Sequence, residues 1–487
     1  MTLPIDTGPT TRDALLTCEQ MAACDRFTID NGTTGFTLML RAGQGAARHI
    51  RRAFRPGRVL VACGPGNNGG DGFVIARDLR EHGWDVTVAL LGAVSSLKGD
   101  AAEAAAHWDG PMAALSAELV GSADILVDAL FGAGLTRPVE GAAAELLARA
   151  AGRAASGRLK VAAVDVPSGV HGDTGQVLGT ACPADLTVTF HCRKPGHLLQ
   201  PGAELCGGVR VVDIGIDPAA PAMASPAARV IAPALWQDRL LPAGPADHKY
   251  TRGHVLVLGG AMPGAARLAA RSARRMGAGL VTVCTPEEAV PLVAGDAPGL
   301  IVQDIPYDLG AFVSARKVAA IVVGPGLGTG AYAWRLVEAA LACTLPIVLD
   351  ADVFSLFAGR RLPDGGPAVL TPHGGEFGRL FPKIDVRESG RVAAVSRAAE
   401  QCGHTVLLKG PDSTVAAPDG RCALLDGAPA TLATGGTGDV LAGAVAALLG
   451  RGLPPFEAAC AGAWFHREAA RRLGGTALLA EDLADAL

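Results

Sequence analysis

The sequence predicts an α/β protein made of two parallel-sheet domains in tandem. Three observations carry this expectation. The chain has 487 residues, well beyond the roughly 100–200 of an ordinary domain. Short apolar runs of β type alternate with Ala/Leu-rich helical stretches along its whole length, as expected of strands buried on both faces of a sheet. Pro218 to Pro233 is rich in proline and alanine and has no period, so it reads as a linker near mid-chain. The expected division is 1–217, a linker at 218–233, and 234–487.

Composition supports two large cores. Hydrophobic residues make up 49% of the chain and charged residues 18%. The net charge of −4 gives no electrostatic footprint for nucleic acid or an anionic membrane. The eleven cysteines show no C-x-x-C pair and no zinc-like spacing, which suits reduced thiols in the cytoplasm. Met1 to Arg12 lacks the basic-then-apolar pattern of a secretory signal. No apolar run approaches the roughly 20 residues needed to span a bilayer. The expected partners are therefore small molecules, with a homo-oligomer as the expected assembly.

In the first half, strands are expected near Val59–Cys63, Val86–Leu91, Ile125–Asp128, Val161–Asp165, Leu186–Phe190 and Val209–Ile214. In the second half they are expected near Val255–Leu258, Val281–Cys284, Ile321–Val323, Ile347–Asp350, Val369–Thr371 and Val406–Lys409. The first strand runs into Gly64-Pro65-Gly66-Asn67-Asn68-Gly69-Gly70-Asp71-Gly72, followed by a helix from Phe73 to His82. Gly64, Gly66 and Gly69 fit G-x-G-x-x-G, a spacing that lets backbone amides approach a phosphate at a helix start. A plain NAD-dependent dehydrogenase is disfavoured, because the second strand ends Leu90-Leu91-Gly92 without the acidic residue a ribose needs.

Two further strand ends carry chemistry. One ends at Asp128 and is followed by the Gly-rich Gly132-Ala133-Gly134-Leu135-Thr136-Arg137. The other ends at Asp165-Val166-Pro167-Ser168-Gly169. Ligands of open α/β sheets sit beyond the carboxyl ends of the strands, where Asp128, Asp165 and Ser168 are expected to point. The plainer reading is that the two aspartates cap turns or helices.

Asn67-Asn68-Gly69-Gly70-Asp71-Gly72, Phe131-Gly132-Ala133-Gly134, Asp165-Val166-Pro167-Ser168-Gly169 and Lys194-Pro195-Gly196-His197 together resemble the epimerase domain of the NAD(P)H-hydrate repair family. The resemblance runs from about Leu16 to Ile216 and implies a Rossmann-like doubly wound fold. It implies that Asn67, Asn68, Gly69, Gly70 and Asp71 bind the hydrated cofactor. Gly132, Ala133, Gly134, Leu135, Thr136, Arg137 and Pro138 would do the same, with Asp165 at the reactive ring. Asn68, Asp128 and Ser168 would hold a potassium ion, and all three offer the oxygen ligands of a hard cation. The family often has Met-Glu-x-Ala-Gly near its start, where this chain has Met39-Leu40-Arg41-Ala42-Gly43. Epimerisation at the hydrated carbon needs reversible loss and return of a substituent, or ring opening. A carboxylate within hydrogen-bond reach can move the proton, and Asp165 is the expected acid/base.

The second half carries Gly259-Gly260, Pro263-Gly264-Ala265-Ala266, Gly324-Pro325-Gly326-Leu327-Gly328, Asp350-Ala351-Asp352, Thr371-Pro372-His373-Gly374-Gly375-Glu376 and Lys409-Gly410-Pro411-Asp412-Ser413. Last comes Gly435-Gly436-Thr437-Gly438-Asp439, before an apolar helix at Val440–Leu449. Small residues at a helix start present N–H groups to an anion, reinforced by the helix dipole. Asp439 is placed to take a proton from a hydroxyl that receives a phosphoryl group. The plainer readings are a tight turn with a first-turn carboxylate, and a structural role for His373 beside its proline.

This ordered set resembles the ribokinase-like fold and, within it, the ADP-dependent NAD(P)H-hydrate dehydratase domain, from about His248 to Leu483. The resemblance implies that Lys409, Gly410, Pro411, Asp412, Ser413 and Gly438 contact the adenine nucleotide. Ala265, Gly326, His373 and Asp439 would contact the hydrated substrate. Where the family usually has Gly-Asn-Pro, this chain has Gly427-Ala428-Pro429, which removes an amide from the nucleotide rim. The implied reaction phosphorylates the ring hydroxyl with Asp439 as base, then expels phosphate, a far better leaving group than hydroxide. ADP is the implied co-substrate, although ATP would bind through the same loops, and magnesium is expected to neutralise developing charge. Two other classes remain: a small-molecule kinase of the same fold acting on a vitamin alcohol, and a non-enzymatic scaffold role for the first half. A stable phosphorylated product would mark the kinase. Retention of Asp128, Asp165, Ser168 and both Gly loops argues against the scaffold.

Overall fold

The structure, a computed structural model, describes residues 13–240, 242, 244–260, 262–362 and 366–487. The opening residues 1–12, on which the expected absence of a secretory signal rests, lie outside them. The chain divides into two compact units, with the break between Arg229 and Val230.

The N-terminal unit is built on one parallel sheet. Its strands lie in the order Met112–Ala114, Asp85–Leu90, Arg58–Cys63, Ile125–Ala129, Lys160–Val164, Leu186–Phe190 and Gly208–Val212. Val88, Val127 and Val188 are fully buried in one core, and Leu126, Val161 and Leu146 in another. Each such side chain contributes about 1.5–3 kcal/mol by leaving water. The chain lays strands outward in one direction from Arg58–Cys63, then returns to its other side at Ile125–Ala129. That reversal opens a crevice at the carboxyl ends of these two strands. The loops there pass so closely that a Cβ on Gly64 would lie 1.8 Å from the Leu130 carbonyl oxygen.

The C-terminal unit repeats this logic. Ile301–Asp304, Leu280–Thr285, His254–Leu258, Ala320–Val323, Ile347–Leu349, Ala368–Leu370 and Thr405–Leu408 run parallel in that order. Thr414–Ala416 and Cys422–Leu424 then extend the sheet antiparallel. Direction reverses between His254–Leu258 and Ala320–Val323. There a Cβ on Gly260 would lie 2.4 Å from the Leu327 carbonyl oxygen. The architecture of both units is α/β on a mainly parallel sheet. Among the described residues no helix is long and apolar enough to cross a membrane.

Three expectations are corrected. The first glycine-rich segment is not loop up to Phe73: the helix is Asn67–Glu81, capped by Gly66, so Asn67 to Gly72 form its opening turns. The last helix is Thr437–Gly450, which puts Asp439 inside the first turn. Glycine-rich sequence masked both starts, because low helix propensity is overridden where backbones must pack closely. The segment expected as a linker is ordered in its first part: Ala220 is buried, the Gln20 amide donates to the Ser225 carbonyl, and Ala228 and Arg229 pair with Leu15 and Ala14. Proline spacing suggested freedom, but tertiary hydrogen bonds hold the segment against the N-terminal unit.

Candidate active sites

In the N-terminal unit, a cavity of about 610 Å³ opens at the crevice. Pro65 to Asn68 and Asp71 line it from the start of the helix Asn67–Glu81, and Leu130 to Leu135 with Arg137 line it from the loop after Ile125–Ala129. Asp165 and Lys194 close its floor. Gly69 and Gly70 are buried beneath it rather than in its wall, where Cβ atoms would meet the Gly64 carbonyl at 1.9 Å and the Met39 side chain at 2.6 Å. Thr136 and Pro138 do not line it. Leu40, the departure from the family pattern, lines a separate cavity with Phe36 and Phe73, while its neighbours Leu38, Met39 and Ala42 face this one.

Asp165 follows its strand directly, with φ +67°, a left-handed conformation rare outside glycine. Its Oδ1 accepts from Lys194 Nζ at 2.7 Å and Thr189 Oγ1 at 2.9 Å, and its Oδ2 accepts from the Ala133 N–H at 2.8 Å. Burial acts to raise its pKa, but the Lys194 ammonium and these hydrogen bonds prevail and hold it at about 2. Lys194 is buried too, and the Asp165 charge outweighs its desolvation and keeps it protonated. His197 donates from Nε2 to the Asp165 carbonyl at 2.8 Å and accepts the Lys194 N–H at Nδ1, which fixes the strained turn. Burial, then Lys194, lowers the His197 pKa to about 4, so the ring is neutral. Gly132 has no side chain because a Cβ would sit 3.1 Å from Asp165 Oδ2 and 3.3 Å from Asn68 Oδ1. The missing side chain leaves the space between the two polar groups open.

Asp128 and Ser168 lie together and are fully buried. Ser168 donates its Oγ to Asp128 Oδ1 at 2.6 Å and its backbone N–H to Oδ2 at 2.8 Å. The Ser168 Oγ also accepts from the Phe131 N–H at 2.9 Å. These bonds tie the two strand-end loops together. The Asn68 amide nitrogen is buried without a hydrogen-bond partner.

In the C-terminal unit, five strand-end segments converge. The Gly326 carbonyl accepts from the Met262 N–H at 3.0 Å, and its φ of +61° brings it against the Ala265 side chain. The Gly328 N–H donates to Asp352 Oδ2 at 2.8 Å. Asp350 is buried and accepts from Lys409 Nζ at 2.8 Å and from Thr371 Oγ1 at 2.8 Å. Lys409 lies under the helix start: a Cβ on Gly438 would be 3.3 Å from Lys409 Nζ and 3.9 Å from Asp350 Oδ2. Burial opposes the charge on Lys409, but Asp350, Glu376 and Asp439 outweigh it. Asp439 shows the opposite balance. Burial first, then the Asp350 charge, raises its pKa to about 6 against the pull of Lys409. His466 is buried and neutral, its pKa lowered to about 4 chiefly by burial, and its Nε2 donates to the Thr437 carbonyl at 2.9 Å. That bond steadies the helix start on which Gly438 and Asp439 sit.

His373 is an N-cap. Its Nδ1 accepts from Gly375 and Glu376 N–H groups, while Glu376 accepts its backbone N–H. The imidazole is otherwise half exposed, and its Nε2 lies 3.4 Å from Glu376 Oε1. Ser413 closes a turn on Gly410, accepting its N–H at 3.1 Å and donating to its carbonyl at 2.7 Å. Arg391 grips the Leu408 and Lys409 carbonyls from behind. Sequence reasoning assigned no role to Lys194, Thr189, Asp350, Glu376 or His466. Lys194 stood in a recognised motif, but its partner lies 29 positions away in sequence.

A family model described as NAD(P)H-hydrate dehydratase matches residues 255–487, and one described as YjeF-related protein N-terminus matches residues 35–196. The bifunctional NAD(P)H-hydrate repair enzyme of Salinibacter ruber is 38% identical over an alignment covering 97% of this chain and 95% of that protein. Its counterpart from Escherichia coli K12 is 35% identical, covering 94% and 89%. Among solved structures, the ADP/ATP-dependent NAD(P)H-hydrate dehydratase of Bacillus subtilis, co-crystallised with ATP/Mg2+, is 31% identical. It covers 52% of this chain and 93% of that one, with a TM-score of 0.47.

Proposed function

The chain belongs to the family of bifunctional NAD(P)H-hydrate repair enzymes, and from that premise we propose which groups carry its two reactions. It is an isomerase and a lyase in one polypeptide. One activity interconverts the R and S hydrates of NADH and NADPH. The other dehydrates the S form at the expense of ADP, giving AMP and phosphate.

For dehydration we assign Asp439 as base. The juxtaposition that supports it is Lys409 beneath Gly438 with Asp439 in the same helical turn. The N–H groups at this helix start and the Lys409 ammonium offer positive charge to a phosphoryl group. Asp439 accepts the proton of the ring hydroxyl as its oxygen bonds the terminal phosphorus of ADP and the bond from that phosphorus to AMP breaks. The C–O bond then breaks as the ring nitrogen supplies its electron pair, phosphate leaves, and loss of a proton from the neighbouring ring carbon restores the ring double bond. Ala265, Gly326 and His373 flank the hydrated ring, and Lys409 to Ser413 flank the nucleotide. Among the described residues no cluster of three His, Cys, Asp or Glu side chains could cage a metal. We propose magnesium carried chiefly on the substrate phosphates. When bound, it neutralises charge on the transferring group.

For epimerisation we assign Asp165 as the group at the reacting ring, with Asn67, Asn68, Asp71, Gly132 to Leu135 and Arg137 around the dinucleotide. Asn68, Asp128 and Ser168 are the proposed potassium ligands. The donor chemistry fits: all three offer oxygen, and among the described residues the buried Asp128 carboxylate is met by N–H and O–H donors but by no cationic side chain. Potassium there would balance that charge. None of the eleven cysteines is in a disulfide, which suits a reducing cytoplasm, and a symmetric homo-oligomer is the assembly we infer.

The deciding experiment supplies mixed hydrate epimers with ADP and, separately, with ATP, and follows recovery of the reduced cofactor. Full recovery is expected. Recovery of only half would mean a silent epimerase, and none with either nucleotide would overturn the dehydratase assignment.

A further inference from the structure

The helix Cys18–Asp30 turns one face to the N-terminal cavity: Cys18, Met21, Ala22, Asp25 and Ile29 all line it. Their spacing is that of a single helical stripe. Four of the five are apolar or a thiol, and the fifth is a carboxylate. Among the described residues the Asp25 side chain takes part in no hydrogen bond or ion pair, whereas the Asp165 carboxylate is held by three donors. The two carboxylates share one cavity with Lys194 and stand in contrasting surroundings.

We infer that Asp25 is a catalytic proton donor and acceptor of the epimerase, working with Asp165 on the two ends of the bond that breaks. The inference rests on the epimerase assignment above. The carbon bearing the added hydroxyl is also bonded to the ring nitrogen. Asp165, ionised, takes the hydroxyl proton. The oxygen's electron pair forms the carbonyl, the carbon–nitrogen bond breaks, and the nitrogen receives its proton from Asp25. The freed aldehyde rotates. On reclosure the nitrogen returns its proton to Asp25 and attacks the other face of the carbonyl, and the oxygen takes back the proton held by Asp165. No water, oxidant or reductant is consumed, and both carboxyl groups end as they began.

The electrostatics agree with this division of labour. Burial raises the Asp25 pKa to about 6. The Lys194 charge opposes the rise, Asp165 adds to it, and Arg26 on its own helix lowers it slightly. Asp71, facing from the helix Asn67–Glu81, is raised well above the usual carboxylate range by burial and then by the Asp165 and Asp25 charges. A carboxyl whose pKa is raised toward neutrality beside one held ionised is the arrangement acid–base catalysis needs.

The test uses the full chain and the purified R hydrate of NADPH without nucleotide, following the S epimer by chromatography. The wild-type chain must interconvert the epimers; if it does not, the epimerase assignment itself fails before any variant is examined. Asp25→Asn is expected to lower kcat about 10²–10⁴-fold with KM little changed. Wild-type kcat/KM should fall as pH rises through about 6, since the acid must be protonated, and the Asn variant should lack that limb. Asp25→Glu should recover part of the rate with the limb displaced. An Asn variant with near-wild-type kcat, or one that keeps the limb, overturns the proposal. If Asp25→Asn no longer binds hydrate, Asp25→Glu decides: binding and turnover with a displaced limb support the role, and binding without turnover refutes it.

Discussion

Lys194 Nζ lies 2.7 Å from Asp165 Oδ1 in a pair from which water is almost excluded. Removing one partner of such a pair strands the other's charge, so Lys194→Met should destabilise the N-terminal unit by about 3–5 kcal/mol. The wild-type pair also sets a pH signature. The folded Asp165 pKa of about 2 lies below the unfolded value. Its contribution is therefore complete above roughly pH 4 and is lost as pH falls through the folded value. Melting of the full chain across that range should show the slope in wild type and not in Lys194→Met; equal slopes would contradict the pairing.

Asp439→Ala should bind ADP but release no AMP, with phosphate production down at least about 10²-fold. In wild type the base must be ionised, so dehydration should rise with pH through about 6. Nucleotide titration and a phosphate assay read the two halves separately. Full turnover in the variant would remove Asp439 from the mechanism.

Gly132→Ala places a methyl between Asp165 Oδ2 and Asn68 Oδ1. Epimerisation should be lost while dehydration of pure S hydrate continues at its normal rate. Loss of both activities would mean that the substitution disturbs more than this cradle.

Ser168→Ala removes the shortest bond to Asp128 and leaves the Phe131 N–H without its acceptor. The expected cost is about 1–3 kcal/mol. If potassium sits on Asn68, Asp128 and Ser168, replacing potassium chloride with choline chloride should lower the wild-type Tm more than that of Asp128→Asn. Identical salt responses would remove the cation from this site.

Gly324→Ala tests the second crevice. Gly324 has φ +124°, and a Cβ there would lie 1.8 Å from the Asp350 carbonyl oxygen. Backbone strain alone costs about 1–3 kcal/mol, and the clash would displace Asp350 from Lys409. The C-terminal unit should melt earlier and dehydrate poorly, with epimerisation intact.

The alternation of apolar runs with helical stretches placed the long central strands to within a residue or two. The short strands Met112–Ala114, Ile301–Asp304, Thr414–Ala416 and Cys422–Leu424 were not legible, because segments this short carry little periodicity to separate strand from loop. Likewise, nothing in the local sequence marks Asp25, whose place in the cavity is set by the helix Cys18–Asp30.

By itself, the sequence determined which residues are rigidly constrained at strand ends and which families the two halves resemble: Asn67 to Asp71, Asp165 to Gly169, and Gly435 to Asp439 are local motifs whose backbone demands can be read from glycine, proline and carboxylate order. Only the tertiary structure decided the charge states. Asp165 and Asp439 are both carboxylates beside Gly-rich turns, yet one is held at about 2 and the other rises to about 6. The difference comes from partners distant in sequence. Lys194 and the Ala133 N–H close on Asp165, whereas Asp439 is desolvated near Asp350 while Lys409 is already paired. Hydrogen bonds and desolvation act through space, and no local pattern encodes them.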